Sequence, residues 1–311
     1  MNKLKVCFTG VGSIAKRHIR NLRTVCGERA IELQIDALRR IPSPVEGIDH
    51  IYCSSEDVPC DYDAIFITNP TDCHLDTLKQ FHKKGRNFFI EKPAVSVDQI
   101  DEAAEFQTKE DAVYYVAAPL RYNAVIQWIK QNVDPDDVIS VRSISSSFLP
   151  DWRPGQDYRE TYSAHKNMGG GVSIDLIHEW DYLTYLFGWP EKIHCMIGKK
   201  SNLEIDSDDY AIYIAEFNDM IAELHLDYFG RKTIREIQLF TKDDTVIGDI
   251  AGNKISMLVK GEELDFKEER DDFQKRELIH FIEMIDSTTE YKDEFKHSLN
   301  VLRITQGRIG E

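Results

Sequence analysis

The chain reads as two domains of different grammar: a doubly wound α/β domain over residues 1–120, then an α+β domain over residues 121–311 built on a mostly antiparallel open sheet. Three observations carry that reading. A glycine turn, Gly10-Val-Gly12-Ser-Ile-Ala15, stands between an apolar alternating run and a stretch of helical spacing. Strand-like and helix-like segments then alternate to about residue 120, the pattern of a parallel sheet covered on both faces. Beyond Pro119 short alternating strands follow one another across turns, as they do in antiparallel sheets.

The first strand, 3–9, is Lys-Leu-Lys-Val-Cys-Phe-Thr, and a helix starts at Ser13 with Ile14, His18, Leu22 and Val25 at helical spacing. Strand, glycine turn and helix in that order are the context a dinucleotide phosphate requires. Gly10 permits the tight turn, Gly12 lets the backbone approach the pyrophosphate, and Ala15 lets the helix pack close to the strand. The N–H groups opened by Ser13 and Ile14 offer a positive helix end to the anion. This is the Rossmann arrangement. The second strand, 31–38, ends at Arg39-Arg40, where an NAD site usually carries an acid for the ribose 2′-hydroxyl. Asp36 lies too early in the strand for that task, so the arginine pair favours NADP over NAD. Strands at 64–68, 87–90 and 113–117, with helices at 73–84 and 97–108, complete the first domain.

The second domain opens with a helix at 125–131 and a long serine-rich strand at 138–148. A helix over 173–187 carries apolar Ile174, Ile177, Leu183 and Leu186. Strands fill 192–264, clearest at 210–217, 221–228 and 234–240, with a hairpin turn at Asp243-Asp244. Helices at 271–285 and 297–306 close the chain. An antiparallel sheet packed on one face leaves the other available, so a homodimer or homotetramer is expected.

A net charge of −16 disfavours nucleic acid and anionic membrane surfaces as partners. No apolar run approaches roughly 18 residues and no signal pattern follows Met1, so a soluble, cytoplasmic protein is expected. The cysteines at 7, 26, 53, 60, 73 and 195 form no CxxC pair, which suits reduced thiols, and no metal site is expected.

Two further strings carry chemistry. Glu91-Lys92-Pro93 follows the strand 87–90, which puts Lys92 at the carboxyl edge of the sheet, where ligands of doubly wound folds bind. Proline stiffens the residue before it. Gly169-Gly170-Gly171 precedes a helical segment with Asp175 and His178 three apart, on one helix face. There a carboxylate can orient an imidazole suited to general acid–base work. A glycine run so costly in chain entropy implies that a ligand or another backbone lies close. Between the domains, 151–166 is a polar loop. Trp152 and Tyr158 suit stacking on a sugar ring, and Arg153, Arg159 and Lys166 suit hydroxyls or an anion; equally, the loop is an arm that packs on the sheet or a neighbouring subunit.

Taken in order, these motifs resemble the Gfo/Idh/MocA (glucose–fructose oxidoreductase / inositol dehydrogenase) family over nearly the whole chain. Gly10 to His18 resembles the family's opening fingerprint, Thr68-Asn69-Pro70-Thr-Asp-Cys-His74 its loop after the fourth strand, and Glu91-Lys92-Pro93 its lysine motif. Arg121-Tyr122 resembles its domain-junction pair, and Gly169 to Asp181 its glycine, aspartate and histidine segment. The resemblance implies a cofactor site that includes Thr68, Asn69, Pro70, His74, Glu91 and Lys92, and a catalytic group of Lys92, Asp175 and His178. It also implies a substrate site with Arg121, Tyr122, Trp152, Arg153, Tyr158, Lys166, Asp175 and His178. Many members have three residues between that aspartate and histidine; here there are two, Leu176 and Ile177.

The implied activity is NAD(P)-dependent hydride transfer at a hydroxyl or carbonyl carbon of a sugar, a sugar derivative that may be nucleotide-linked, or a cyclitol. Either His178 or Lys92 accepts the proton while the other holds the developing alkoxide. The rival readings are a non-catalytic sensor of NAD(P) and sugar on the same fold, and a glycoside-cleaving enzyme that uses the cofactor transiently.

Overall fold

A computed structural model describes residues 1–287 and 294–309. The chain divides into two compact units: Met1–Ala117 with Arg270–Leu299, and Ala118–Glu269 with Asn300–Glu311.

The first unit is built on a six-stranded sheet, entirely parallel, in the order β3-β2-β1-β4-β5-β6. Its strands are β1 (Lys3–Thr9), β2 (Glu32–Leu38), β3 (His50–Tyr52), β4 (Tyr62–Ile67), β5 (Gly85–Ile90) and β6 (Tyr114–Val116). The helices between them are α1 (Ser13–Glu28), α2 (His74–Phe81) and α3 (Ile100–Ala104). The helix expected over 97–108 is thus a single 3-10 turn and five helical residues, entered through a capping box between Ser96 and Gln99. Strand β3, three residues long, lies in a stretch too short and polar for periodicity to reveal.

Fully buried Phe8, Phe66 and Phe89 stack across β1, β4 and β5, with ring centroids 4.5 and 4.8 Å apart. Burying each such ring contributes about 1.5–3 kcal/mol. The stack explains a departure from the boundary drawn at residue 121. Helix α7 (Arg270–Asp286) belongs to the first unit because Phe281 closes the stack edge-on at 5.7 and 5.3 Å. Ion pairs from α1, Arg20 to Asp271 at 2.6 Å and Arg29 to Glu283 at 2.7 Å, flank the same helix.

The second unit contains α4 (Ala124–Asn132), β7 (Val138–Phe148), α5 (Val172–Asp175), α6 (His178–Phe187) and a run of strands. These are β8 (Lys192–Gly198), β9 (Tyr210–Phe217), β10 (Met220–Asp227), β11 (Phe229–Thr241), β12 (Thr245–Asp249), β13 (Lys254–Met257) and β14 (Glu262–Asp265); helix α8 (Glu294–Thr305) has its residues to Leu299 in the first unit and the rest in the second. The eight-stranded sheet runs β14-β13-β12-β11-β7-β10-β9-β8 and is antiparallel except where β7 meets β10. Strands β9 and β10 alternate up to Leu226. Ala211, Tyr213, Ala215, Ala222, Leu224 and Leu226 are buried, whereas Ile212, Ile214 and Ile221 lie on an exposed face with Met196. Among the described residues no helix is long and apolar enough to cross a membrane.

Candidate active site

In the first unit the residues expected to hold the cofactor gather at the carboxyl edge of the parallel sheet. Gly10, at φ +88°, turns the chain out of β1, and its N–H bonds to Leu38 O at 3.0 Å. A Cβ there would meet Asn69 Cα at 3.0 Å, so glycine is needed for the close approach of two turns. The Thr68 hydroxyl donates to Gly10 O at 2.9 Å and ties β4 to the same turn. Gly12 is different: a Cβ on it would meet nothing within 4 Å. Helix α1 starts there with no side-chain cap and no acidic residue in its first turn. The orphan N–H groups of a 16-residue helix therefore open beside a cradle that a side chain would fill, and this fits a dinucleotide phosphate. Ala15 is fully buried and serves the helix–strand contact. Exposed Ser13 and half-buried Ile14 stay at the opening.

Lys92 is half-buried at the end of β5, and the Lys92–Pro93 peptide is cis. Glu91 beside it is held by His18, whose Nε2 donates to Oε1 at 2.5 Å. Burial alone would raise the Glu91 carboxyl, but the His18 bond, with the charges of Lys92 and His74, holds it below the usual carboxylate range. His74 is enclosed, 2% exposed, with Nδ1 3.1 Å from Pro93 O and Nε2 2.9 Å from Asn69 O. Burial pushes its pKa down against the pull of these carbonyls. The expected cofactor contacts thus separate. His74, Thr68 and Asn69 (whose amide donates to Thr77 Oγ1 at 2.7 Å) brace the edge, while Pro70 is exposed on it.

Within β2, two residues before its end, Asp36 is 1% exposed and accepts the Tyr62 hydroxyl at 2.7 Å. Burial first, then that bond, drives the Tyr62 hydroxyl far above its ordinary pKa. Asp36 is spent inside the sheet. Arg40 is exposed, and Arg39 reaches Ser43 O at 3.1 Å.

In the second unit Arg121 is committed rather than open. Its guanidinium makes a bidentate bond to Asp181, at 2.9 and 2.7 Å, and is nearly buried. Arg121 is therefore a positioning residue that anchors the first turn of α6, and Tyr122 beside it is half-buried. The single helix expected over 173–187 is broken. Leu176, at φ −98° and ψ 32°, ends α5, and α6 begins at His178. Asp175 and His178 consequently do not share one helix face. Asp175, 4% exposed, instead accepts the Tyr228 hydroxyl at 2.6 Å. Burial and then the Asp175 charge raise the Tyr228 pKa well above its ordinary value, so Tyr228 remains a donor. His178 is half-buried at the start of α6.

The glycine run lies against the protein's own atoms. A Cβ on Gly170 would fall 2.1 Å from Tyr162 O, and one on Gly171, at φ +133°, would fall 2.2 Å from Asp208 Oδ1. Asp208 accepts the N–H groups of Val172 through its carbonyl, at 3.0 Å, and of Ser173 through its carboxylate, at 2.9 Å. Burial raises its carboxyl pKa, opposed by the Ser173 bonds.

The loop 151–166 is a chain of 3-10 turns rather than a structureless segment. It packs on 203–207, with Ser207 Oγ donating to Ser163 O at 2.6 Å and Tyr158 Oη accepting Glu204 N–H at 3.1 Å. Trp152 donates to Ser147 Oγ at 2.9 Å and meets Tyr228 edge-on at 5.2 Å. Arg159 is neutralised by Asp157 and Glu204, each at 2.7 Å. Arg153 stacks on Tyr162, and Lys166 is exposed. Sequence reasoning missed Tyr228 and Asp208, which lie between strands with no local motif, and the partnership of His18 with Glu91. The only signal for the last was a histidine on the apolar face of α1.

A family model described as an oxidoreductase family with an NAD-binding Rossmann fold matches residues 4–118, and one described as the GFO/IDH/MocA C-terminal domain matches residues 126–243. The uncharacterized oxidoreductase YrbE of Bacillus subtilis (strain 168) is 26% identical over 185 residues, 58% of this chain and 52% of its own. Inositol 2-dehydrogenase of Rhizobium meliloti (strain 1021) is 23% identical over 187 residues, 58% of this chain and 53% of its own. The chain thus spans about half the length of both relatives.

Among solved structures, levoglucosan dehydrogenase in its apo form superposes with a TM-score of 0.84 at 13% identity, covering 99% of this chain and 96% of that one. UDP-N-acetylglucosamine 3-dehydrogenase GnnA from Acidithiobacillus ferrooxidans gives 0.74 at 17% identity, covering 99% and 97%. Myo-inositol 2-dehydrogenase from Lactobacillus plantarum gives 0.78 at 18%, covering 98% and 95%. At these identities the shared property is the fold.

Proposed function

The chain belongs to the GFO/IDH/MocA family of oxidoreductases, and from that membership we propose that it transfers hydride between NAD(P) and a hydroxyl or carbonyl carbon of a sugar, a sugar derivative or a cyclitol. The observation that carries the reading is the open, acid-free start of α1 at Gly12, on the same sheet edge as Lys92. The dehydrogenases of levoglucosan, UDP-N-acetylglucosamine and inositol that share the fold support the substrate class.

When bound, the nicotinamide supplies the hydride acceptor. The chain's own task is the proton. His178 takes it from the substrate hydroxyl and Lys92 holds the developing alkoxide, or the two exchange roles. Asp175, held by the Tyr228 hydroxyl, orients the start of α6 and with it His178. Gly10, Gly12, Ser13 and Ile14 cradle the pyrophosphate, and Arg39 and Arg40 take a 2′-phosphate. That preference for NADP is supported by Asp36, which Tyr62 already holds.

Fluorescence titration with NADH and NADPH, carried into a sugar panel, tests both halves. NADPH should bind more tightly, and Arg39→Ala/Arg40→Ala should remove the advantage. Lys92→Ala and His178→Ala should each lower kcat about 10²–10⁴-fold with cofactor affinity kept. Near-normal turnover in both variants would sink the reading.

We also propose that a second copy of the chain covers the exposed face formed by Met196, Ile212, Ile214 and Ile221. Sedimentation equilibrium should then give a multiple of 36.0 kDa, and a monomer mass would refute it. Six thiols with no disulfide fit a reducing compartment, and cytoplasmic residence is proposed on that ground.

A further inference from the structure

The chain has ten histidines, and among the described residues two are buried, His18 and His74, each 2% exposed. An imidazole taken out of water costs free energy unless its nitrogens find partners. Both rings find them beside the same residue. His18, in the second turn of α1, meets Phe89 edge-on at 5.0 Å and donates through Nε2 to Glu91 Oε1 at 2.5 Å. His74, the first residue of α2, has Nδ1 3.1 Å from Pro93 O and Nε2 2.9 Å from Asn69 O. A ring N–H donates to one of these carbonyls, and the enclosed ring packs against the other. Lys92 thus stands between one residue held by the first buried histidine and one held by the second.

The backbone needs anchors at that point. The Glu91 N–H still bonds to Ile67 O of β4, at 2.9 Å, but residues 91–96 belong to no helix or strand, so side chains set their course. The second oxygen of Glu91 accepts the Lys92 N–H at 3.3 Å, which carries the His18 anchor onto the lysine itself. Neither ring opens to solvent, so neither meets a substrate, and each acts on the chemistry only through what it holds. His82, just past α2, is a different case: half-buried, it packs its ring on Phe88 and Phe106 at 6.3 and 5.2 Å.

We propose that His18 and His74 are positioning residues for Lys92, which fix the backbone on both sides of it so that its amine keeps one place at the sheet edge. Displacing a reacting group by about 1 Å can cost about 100-fold in rate, and two anchors from two helices resist that displacement. The inference rests on the oxidoreductase reading for the task of Lys92; the clamp itself stands on the first unit alone.

The test pairs kinetics with chemical labelling of the lysine. Reductive methylation by formaldehyde and cyanoborohydride, read peptide by peptide in a mass spectrometer, reports how freely Lys92 moves, with exposed Lys3 of β1 as the reference. In His18→Leu and in His74→Leu the rate at Lys92 relative to Lys3 should rise about threefold or more. In the same variants kcat should fall about 10- to 100-fold, while KM and NADPH affinity stay within about twofold. His18→Gln, which returns an amide donor close to the Nε2 position, should recover both readouts to within about threefold of wild type. His82→Leu, the same change at a histidine remote from the clamp, should leave both within about twofold. If His18→Leu fails to fold, His18→Leu/Glu91→Leu removes donor and acceptor together and carries the test. Lys92 labelling at the wild-type rate in both leucine variants overturns the clamp, and if turnover is lost all the same the oxidoreductase reading stands. NADPH affinity that falls together with kcat, or His18→Gln no better than His18→Leu, also overturns it. Faster labelling of Lys92 in the variants of a protein that turns over no sugar sustains the clamp and overturns the oxidoreductase reading.

Discussion

Two glycine turns, each leading into a helix, look alike in the sequence and do opposite things. At Gly12 the turn leaves space and the first N–H groups of α1 have no side-chain cap. At Gly170 and Gly171 the same residue type makes room for the chain itself, the carbonyl of Tyr162 and the carboxylate of Asp208, and Asp208 takes the N–H groups that open α5. On the proposed function the first turn receives an external anion; the second is filled by the protein's own Asp208 carboxyl. A glycine run therefore announces close approach, and only the long-range partner says of what.

The sharpest way to break that contrast is a methyl group at Gly170. Backbone oxygen at 2.1 Å cannot move aside cheaply, so Gly170→Ala should cost about 3 kcal/mol or more, and the variant should melt far below the wild type in calorimetry. Gly12→Val should do the reverse. It has open space, so stability should fall by no more than about 1 kcal/mol while NADPH affinity drops about 100-fold or more in fluorescence titration. If both variants lost stability alike, or if Gly12→Val kept its cofactor, the two turns would not differ as described.

The parts of the molecule that were legible in the sequence are those set by local pattern. Strand β7 was read at 138–148 and observed at Val138–Phe148, because alternation over eleven residues leaves one register. Lys92 was placed at the sheet edge because a parallel strand must end there. What escaped was decided by residues distant in the chain. The break at Leu176 has no glycine or proline to mark it; it coincides with Asp175 bound to Tyr228, 53 residues on. Helix α7 was assigned to the second domain by its position in sequence, but Phe281 completes a stack begun at Phe8, Phe66 and Phe89. The family resemblance implies a substrate role for Arg121. Its partner Asp181 lies 60 residues away, and spacing does not show such a pair.

The smallest predicted effect concerns the edge that holds Lys92. Glu91 is a carboxylate whose folded-state pKa is lowered, chiefly through the His18 bond against the opposing effect of burial. A group of this kind adds stability above its unfolded pKa near 4.5 and loses it as pH falls through the lower folded value, where the folded state must take up the proton it resisted. Wild-type stability should therefore fall more steeply below pH 4.5 than that of Glu91→Gln, which has no carboxylate to protonate. At pH 7 the variant should be weaker by about 1.5–3 kcal/mol, the usual worth of a hydrogen bond to a charged group. Urea melts at pH 7 and pH 4 would separate the two curves. The Gly12 turn should stay intact in the variant, because Gly10 and Thr68 secure it without Glu91. A loss of NADPH affinity in Glu91→Gln that matched Gly12→Val would mean that the lysine motif and the phosphate cradle are one cooperative piece, and the contrast between the turns would then extend along the whole sheet edge rather than to the glycine alone.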